Sequence, residues 1–508
     1  MENPFPKAAA EIRRRCRLIP DPGREALRGM ARSGERTTEY GSASYVTRIR
    51  SRSARFTEIV FEPGPSHDEL LSRVVEHLDG REMIEVERTM CLKAGHRTRI
   101  RLLVSGDCAR LAYMWRSMLF EPEGGGGPDF TIIDVPEWPE RKVLVDPVSF
   151  TTFILGSDYC GEVKKAGLRM MMYFHKTRRG GLGLHAGSKI LRVMGNDGKL
   201  SEKGMLLFGL SATGKTTLTC HHHWLDAAKG ELVRIRQDDV VMLERDCSVV
   251  GTEENFYIKT DGLEPGSQPL LYKGAISPRA ILENVFVGDG GKVDFFDSSL
   301  TSNGRAVVVR KELDFADDSI DLDGLDIMVF ITRRKTIVPP LARLSPAQAA
   351  AFFMLGESVE TSAGDPAQAG KPLRVVGTNP FIIGPFDEEG NRFMEILEAN
   401  RGVGCYLMNT GSFGAGPGKE GIKITVYDSA RMLAEVARGA VRWKRDPDWG
   451  YDVASRCGDL DMGRFEPSAH YPAGEYSALT EALRNERREW LAQFPGLRKE
   501  IREAIEKH

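Results

Sequence analysis

Residues 205–217 read Met-Leu-Leu-Phe-Gly-Leu-Ser-Ala-Thr-Gly-Lys-Thr-Thr. The apolar run predicts a buried strand, and the residues after Gly214 predict a helix. Between them Gly209, Leu210, Ser211, Ala212, Thr213, Gly214, Lys215 and Thr216 fit the phosphate-loop pattern G-x-x-x-x-G-K-[ST]. The glycines let the backbone wrap a polyphosphate with its N–H groups pointing inward. Lys215 supplies a cation for the outer phosphates and the Thr216 hydroxyl a ligand for Mg²⁺; Thr217 extends the nucleotide-binding segment. A strand before the motif and a helix after it are the context it requires, and they predict an α/β fold.

Further along, Leu232-Val-Arg-Ile is a second strand candidate, and Asp238-Asp239 follow it. Phosphate-loop enzymes need a carboxylate at the end of a neighbouring strand to hold the metal. One aspartate can serve as ligand while the other orients it. His221, His222 and His223 lie in the predicted helix after the loop, where adjacent side chains face different ways, so no metal role is assigned to them. Before the loop, Gly124 to Gly127 with Pro128 break the chain. DFTIIDVPEW and RKVLVDPVSFTTFIL read as strands, and GEVKKAGLRMMMYFHK as a helix. After it, Ser345 and Pro346 start a helix, and Tyr476, Leu479, Leu483, Trp490 and Phe494 recur at helical spacing. Residues 362–372 are small, polar and rich in Gly and Pro, which predicts a mobile loop.

The whole chain of 508 residues can bury more than one core. Lys plus Arg is 70 and Asp plus Glu is 72, a net charge of −2, which argues against a coat for nucleic acid. No stretch is apolar enough to span a membrane, and the first residues lack a secretory signal's apolar centre, so a cytoplasmic protein is expected. The eight cysteines are scattered, with no Cys-x-x-Cys pair, and are expected to be reduced. Nothing in the sequence sets an oligomeric state.

GLSATGKTTL with its Asp-Asp pair resembles ATP-dependent phosphoenolpyruvate carboxykinase, whose loop reads GLSGTGKTTL. SDYCGEVKK, LGLHAGS, ENFYIKT, LENVFV, VDFFDSSLTSNGR, MNTGSFG and KITVYDSAR resemble further family segments in the same order. The resemblance runs from about residue 130 to the C-terminus. It implies a two-lobed fold, with residues 1–199 on the substrate side, residues 200–508 binding the nucleotide, and a lid role for the loop at 362–372.

It also implies site roles. Lys165, His185 and Asp239 would hold Mn²⁺ beside the substrate, the lysine as its uncharged amine, while Mg²⁺ travels with ATP. Arg305 would bridge the substrate and the transferring phosphoryl group, with Tyr159 against the substrate and Ser211 near the departing CO₂. Glu283, Lys423 and Ser429 fall where the family contacts the nucleoside. The family's Gly-Arg-Ser-Pro-Lys-Asp segment is matched only by AGHRTRIRLLV, where Arg97 or Arg99 would supply the guanidinium. Three further departures are Lys423 in place of arginine, Gln-Asp-Asp-Val-Val-Met in place of Gly-Asp-Asp-Glu-His-Gly, and Thr-Ser-Asn-Gly-Arg in place of Thr-Glu-Asn-Thr-Arg. The expected reaction interconverts oxaloacetate plus ATP with phosphoenolpyruvate, CO₂ and ADP. The alternatives are a phosphate-loop kinase acting on another small acceptor, and a nucleotide-binding regulator without catalysis.

Overall fold

A computed structural model describes residues 2–50, 54–210, 213–359, 372–416 and 418–506. Ser211 and Ala212 of the phosphate loop lie outside the described residues, as does the expected lid apart from Pro372, which opens a short strand.

The chain divides into two compact units, each built from two stretches. The first comprises Met1–Phe174 and Thr252–Asp314, the second His175–Gly251 and Phe315–His508. A single boundary between residues 199 and 200 does not describe them. It would cut a hairpin, because Ala186–Met194 and Leu200–Phe208 pair antiparallel from Ala186↔Phe208 to Met194↔Leu200.

The first unit holds a seven-stranded sheet. Its strand order is Arg17–Pro20, Glu82–Met90, Thr98–Ser105, Phe130–Val135, Thr151–Leu155, Lys142–Asp146 and Thr57–Ile59. The runs at 130–135, 142–146 and 151–155 are the strands their β-branched composition predicts. Alternation divides their side chains between two faces. Leu103, Ile133, Val135 and Phe153 pack with Phe5, Ile12, Val74 and Leu78 of helices Pro4–Arg15 and Pro65–Leu78. On the other face Ile100 and Ile132 stand against Gly167 of helix Cys160–Phe174. A second sheet of five strands joins Phe256–Lys259, Arg305–Val308, Ile281–Glu283, Ala43–Tyr45 and Arg36–Thr37.

The second unit is built on eight strands: Leu232–Gln237, Ala186–Met194, Leu200–Phe208, Ile327–Thr332, Gly404–Asn409, Leu341–Leu344, Asp452–Arg456 and Arg442–Arg445, in spatial order. Leu200–Phe208, Ile327–Thr332 and Gly404–Asn409 run parallel, so their C-terminal ends share one edge. In α/β sheets ligands bind at that edge. Phe208 and Phe330 stack at 5.0 Å, and Phe353 and Phe393 at 4.5 Å, beneath helices Pro346–Leu355 and Phe386–Ala399. The first of these helices starts as predicted: Ser345 accepts from the Gln348 N–H, and Gln348 returns the bond in a capping box. The C-terminal pattern forms helix Ala473–Leu491. Among the described residues no helix is long and apolar enough to cross a membrane.

Candidate active site

In the second unit the strand Leu200–Phe208 runs into Gly209 and Leu210, and Gly214 starts helix Lys215–Thr219. Gly214 has φ 95°, a left-handed conformation that glycine adopts without strain. The Thr213 hydroxyl donates to Leu210 O at 2.7 Å, and Thr410 Oγ1 donates to Thr213 O at 2.6 Å, tying the loop to the end of strand Gly404–Asn409.

The two aspartates after strand Leu232–Gln237 are committed to different partners. Asp238 faces the loop: Lys215 Nζ donates to its backbone carbonyl and stands 3.9 Å from Oδ1, and Thr216 Oγ1 donates to Oδ2 at 2.8 Å. Asp239 Oδ1 lies 3.1 Å from His185 Nε2. His185 Nδ1–H donates to Thr378 O at 2.6 Å, which orients the ring with Nε2 toward Asp239. Burial raises the Asp238 carboxyl above its ordinary range against the pull of Lys215. Its Oδ1 accepts no hydrogen bond among the described residues. A buried carboxylate oxygen without a donor, beside a hydroxyl at phosphate-loop spacing, fits a divalent cation, and so does an imidazole nitrogen facing a carboxylate. The unit also pairs His175 Nε2 with Glu244 Oε1 at 3.5 Å, a second imidazole–carboxylate contact.

In the first unit Tyr159 precedes the Lys165 helix, Cys160–Phe174. Asn303 joins two expected residues: its Nδ2 donates to Tyr159 OH at 3.2 Å, and its Oδ1 accepts from the Arg305 guanidinium at 2.9 Å. Lys165 Nζ lies 5.6 Å from the Tyr159 ring centre, and the Arg305 guanidinium carbon 5.6 Å from that of Tyr257. Lys164 is buried in an ion pair with Glu253 at 2.7 Å, not solvated. Lys165 and Arg305 thus stand at two tyrosine rings, a cationic group suited to a carboxylate or phosphate.

Several expected residues are placed otherwise. Glu283 is 0% exposed. It accepts from the Cys160 N–H at 2.9 Å and from Tyr257 OH at 2.6 Å, so both oxygens are hydrogen-bonded inside the first unit. Burial raises its carboxyl. Ser429 is 1% exposed, and its hydroxyl donates back to Thr425 O at 3.1 Å within helix Val426–Arg438. Lys423 is exposed on the two-residue strand Ile422–Lys423. Arg97 is drawn into an ion pair with Glu123 and donates to Leu92 O at 3.2 Å, while Arg99 donates to Gly124 O and Gly126 O. Both serve the glycine loop, not the Tyr159 group. The histidine triplet lies beyond helix Lys215–Thr219, in a turn where His223 and Trp224 have positive φ.

Sequence reasoning missed Asn303 and Arg50. Asn303 Nδ2 also lies 3.4 Å from Arg50 O, and the Arg50 guanidinium donates to Leu300 O at 2.9 Å. The signal was Arg50-Ser51, which repeats the Arg-Ser of the family's N-terminal segment.

A phosphate loop at the end of a parallel strand, with divided carboxylates on a strand of the same sheet, defines an ATP-handling α/β enzyme. A family model described as phosphoenolpyruvate carboxykinase matches residues 58–463. A protein of Aeropyrum pernix named phosphoenolpyruvate carboxykinase (ATP) is 37% identical over 466 residues, which are 91% of this chain and 91% of that one. Proteins of the same name from Rhizobium rhizogenes (27% identical, 82% of this chain and 78% of theirs) and Salinibacter ruber (28%, 77% and 72%) are similar over most of their length. The chain belongs to the ATP-dependent phosphoenolpyruvate carboxykinase family.

Proposed function

We propose that the chain catalyses the reversible conversion of oxaloacetate and ATP into phosphoenolpyruvate, CO₂ and ADP. The observation that carries this is the division of Asp238 and Asp239 between the phosphate loop and His185. Adjacent residues would thereby serve two cations, as a reaction that polarises a keto acid and transfers a phosphoryl group requires.

Thr216, with Asp238 behind it, would hold the Mg²⁺ of ATP; His185, Asp239 and Lys165 would hold Mn²⁺. When bound, the cations stabilise negative charge on the enolate and on the phosphates. Lys165 contributes an uncharged amine, so its proton must leave before the ligand set is complete. Oxaloacetate loses CO₂ beside Ser211, and the C–C bonding pair becomes the enolate of pyruvate. Arg305 and Tyr159 orient that enolate. The enolate oxygen attacks the γ-phosphorus in line, and the bond to the β-phosphate oxygen breaks. Lys215 and Arg305 neutralise the transferring group. Residues 362–372 would exclude water, which otherwise protonates the enolate to pyruvate. Lys423 remains the candidate for the nucleoside. A reducing compartment, the cytoplasm, suits eight free cysteines.

The test is ADP-dependent fixation of bicarbonate onto phosphoenolpyruvate with Mn²⁺. Purified protein should form oxaloacetate, and Lys165→Ala and His185→Ala should abolish this while sparing ATP binding. ATP turnover on another acceptor, with no oxaloacetate formed, would establish the kinase alternative instead. Wild-type activity in both variants would remove the Mn²⁺ assignment.

A further inference from the structure

One face of the strand Ala186–Met194 is occupied in an unusual way. His185, just before it, faces Asp239. Two residues on, Gly187 lies under the phosphate-loop helix so closely that a Cβ there would come within 2.1 Å of Thr219 Oγ1. Two residues further, on the same side by strand alternation, is Lys189. It is 0% exposed. Its Nζ donates to Leu218 O, one of the helix's last carbonyls, and meets His223 Nε2. His223 Nδ1–H donates to Ala430 O at 2.9 Å in helix Val426–Arg438, so its Nε2 carries a lone pair toward the lysine. Leu218 O is also 3.2 Å from His223 Nε2, and the two acceptors converge on one amine.

Among the described residues Lys189 is buried with no carboxylate partner. In the sheet, apolar Met205 and Ile235 stand beside it. The ionisable groups facing it are Cys220 at the end of the helix and His221 and His223 in the turn. The charges of the packed helix are paired elsewhere, Asp428 with Arg464, Arg431 with Asp459, and Glu435 with Arg438. A bare structural lysine would be replaced by an apolar residue at no loss, since burying an unpaired charge is unfavourable.

We propose that Lys189 and His223 are positioning residues that hold the phosphate-loop helix by its C-terminal carbonyl, and that the proton on Lys189 sets how firmly the loop grips the phosphates of ATP. The inference rests on the proposed ATP site. With the proton in place, the ammonium makes charge-assisted bonds to Leu218 O and His223 Nε2. Without it, the amine keeps two N–H groups but no charge, and the bond to the helix end weakens. Burial brings this lysine down to about 7, and holds His221 down at about 3 and His223 well below its usual value. Both histidines are then neutral acceptors when Lys189 titrates.

The experiment compares MgATP dissociation constants of wild type and Lys189→Met from pH 6 to 8.5. The ratio cancels the titration of ATP itself. Lys189→Met should bind about tenfold more weakly at pH 6, and the ratio should fall toward one by pH 8.5. Lys189→Arg, which keeps its charge, should show no such convergence with Lys189→Met. A ratio of one throughout, or one that does not change with pH, overturns the proposal. Failure of wild type to bind MgATP would instead overturn the ATP site. If Lys189→Met does not fold, amide exchange of wild type decides. Protection of residues 215–220 should fall between pH 6 and 8.5 beyond the intrinsic change in rate, and constant protection overturns the proposal.

Discussion

The proposed phosphate site of the second unit is one unbroken stretch of sequence, Gly209 to Thr217, in which Lys215 and Thr216 would supply the side chains. The cationic group of the first unit is assembled from Lys165, Tyr159, Asn303 and Arg305, with Tyr159 and Asn303 separated by 144 residues in the chain. Local backbone geometry needs a short motif with glycine where φ is positive. A side-chain cluster needs a whole fold to bring its members together, and each member is then hard to replace. The phosphate loop should therefore tolerate changes among its wrapping residues, and the Tyr159 group should tolerate few.

Lys215→Met removes the loop's cationic side chain, a charge that no backbone group replaces. Carboxylation should fall by about 10³-fold, measured as kcat with saturating MgADP. A loss below tenfold would mean the backbone suffices, and the contrast between the units would widen. Glu357 breaks the pattern from inside the second unit, because it too depends on distant partners. It is buried between Arg487 at 2.7 Å, Arg374 at 3.2 Å and Arg334 at 3.3 Å. Glu357→Gln should destabilise the protein by about 3 kcal/mol, read from urea unfolding. The arginines hold this carboxyl well below its usual value despite burial. Its contribution is therefore complete above the unfolded value near 4.5 and is lost as pH falls through the lower folded value. Wild type should lose stability in that acid window relative to Glu357→Gln, and parallel pH curves would refute the linkage.

Arg305→Lys keeps the charge but removes the planar fork that Asn303 orients. We expect kcat/KM for phosphoenolpyruvate to fall by about 10²-fold with MgATP affinity unchanged. Equal losses in both would join the two anion sites in function. Glu283→Gln separates positioning from nucleotide contact. Its bonds to Cys160 and Tyr257 predict about a tenfold loss of kcat/KM with intact MgATP binding. Weaker MgATP binding with unchanged kcat would return Glu283 to the nucleoside. Ser345→Ala removes a purely local feature, one half of a capping box, and should cost about 1 kcal/mol in unfolding free energy with no kinetic effect.

The sequence alone was enough for whatever depends on neighbours in the chain. The phosphate loop, the strands at 130–155, the Lys165 helix and the Ser345 cap each follow from a few adjacent residues, because backbone conformation responds to local sterics and hydrogen bonding. The division of Asp238 from Asp239 was open until His185, Thr216 and Lys215 were seen around them. Only tertiary structure buried Glu283 and Ser429, spent Arg97 on Glu123, brought Asn303 to Tyr159, and set Lys189 beneath the phosphate-loop helix. Burial and pairing depend on which distant segments share a face of a sheet or helix, and a linear pattern does not carry that information.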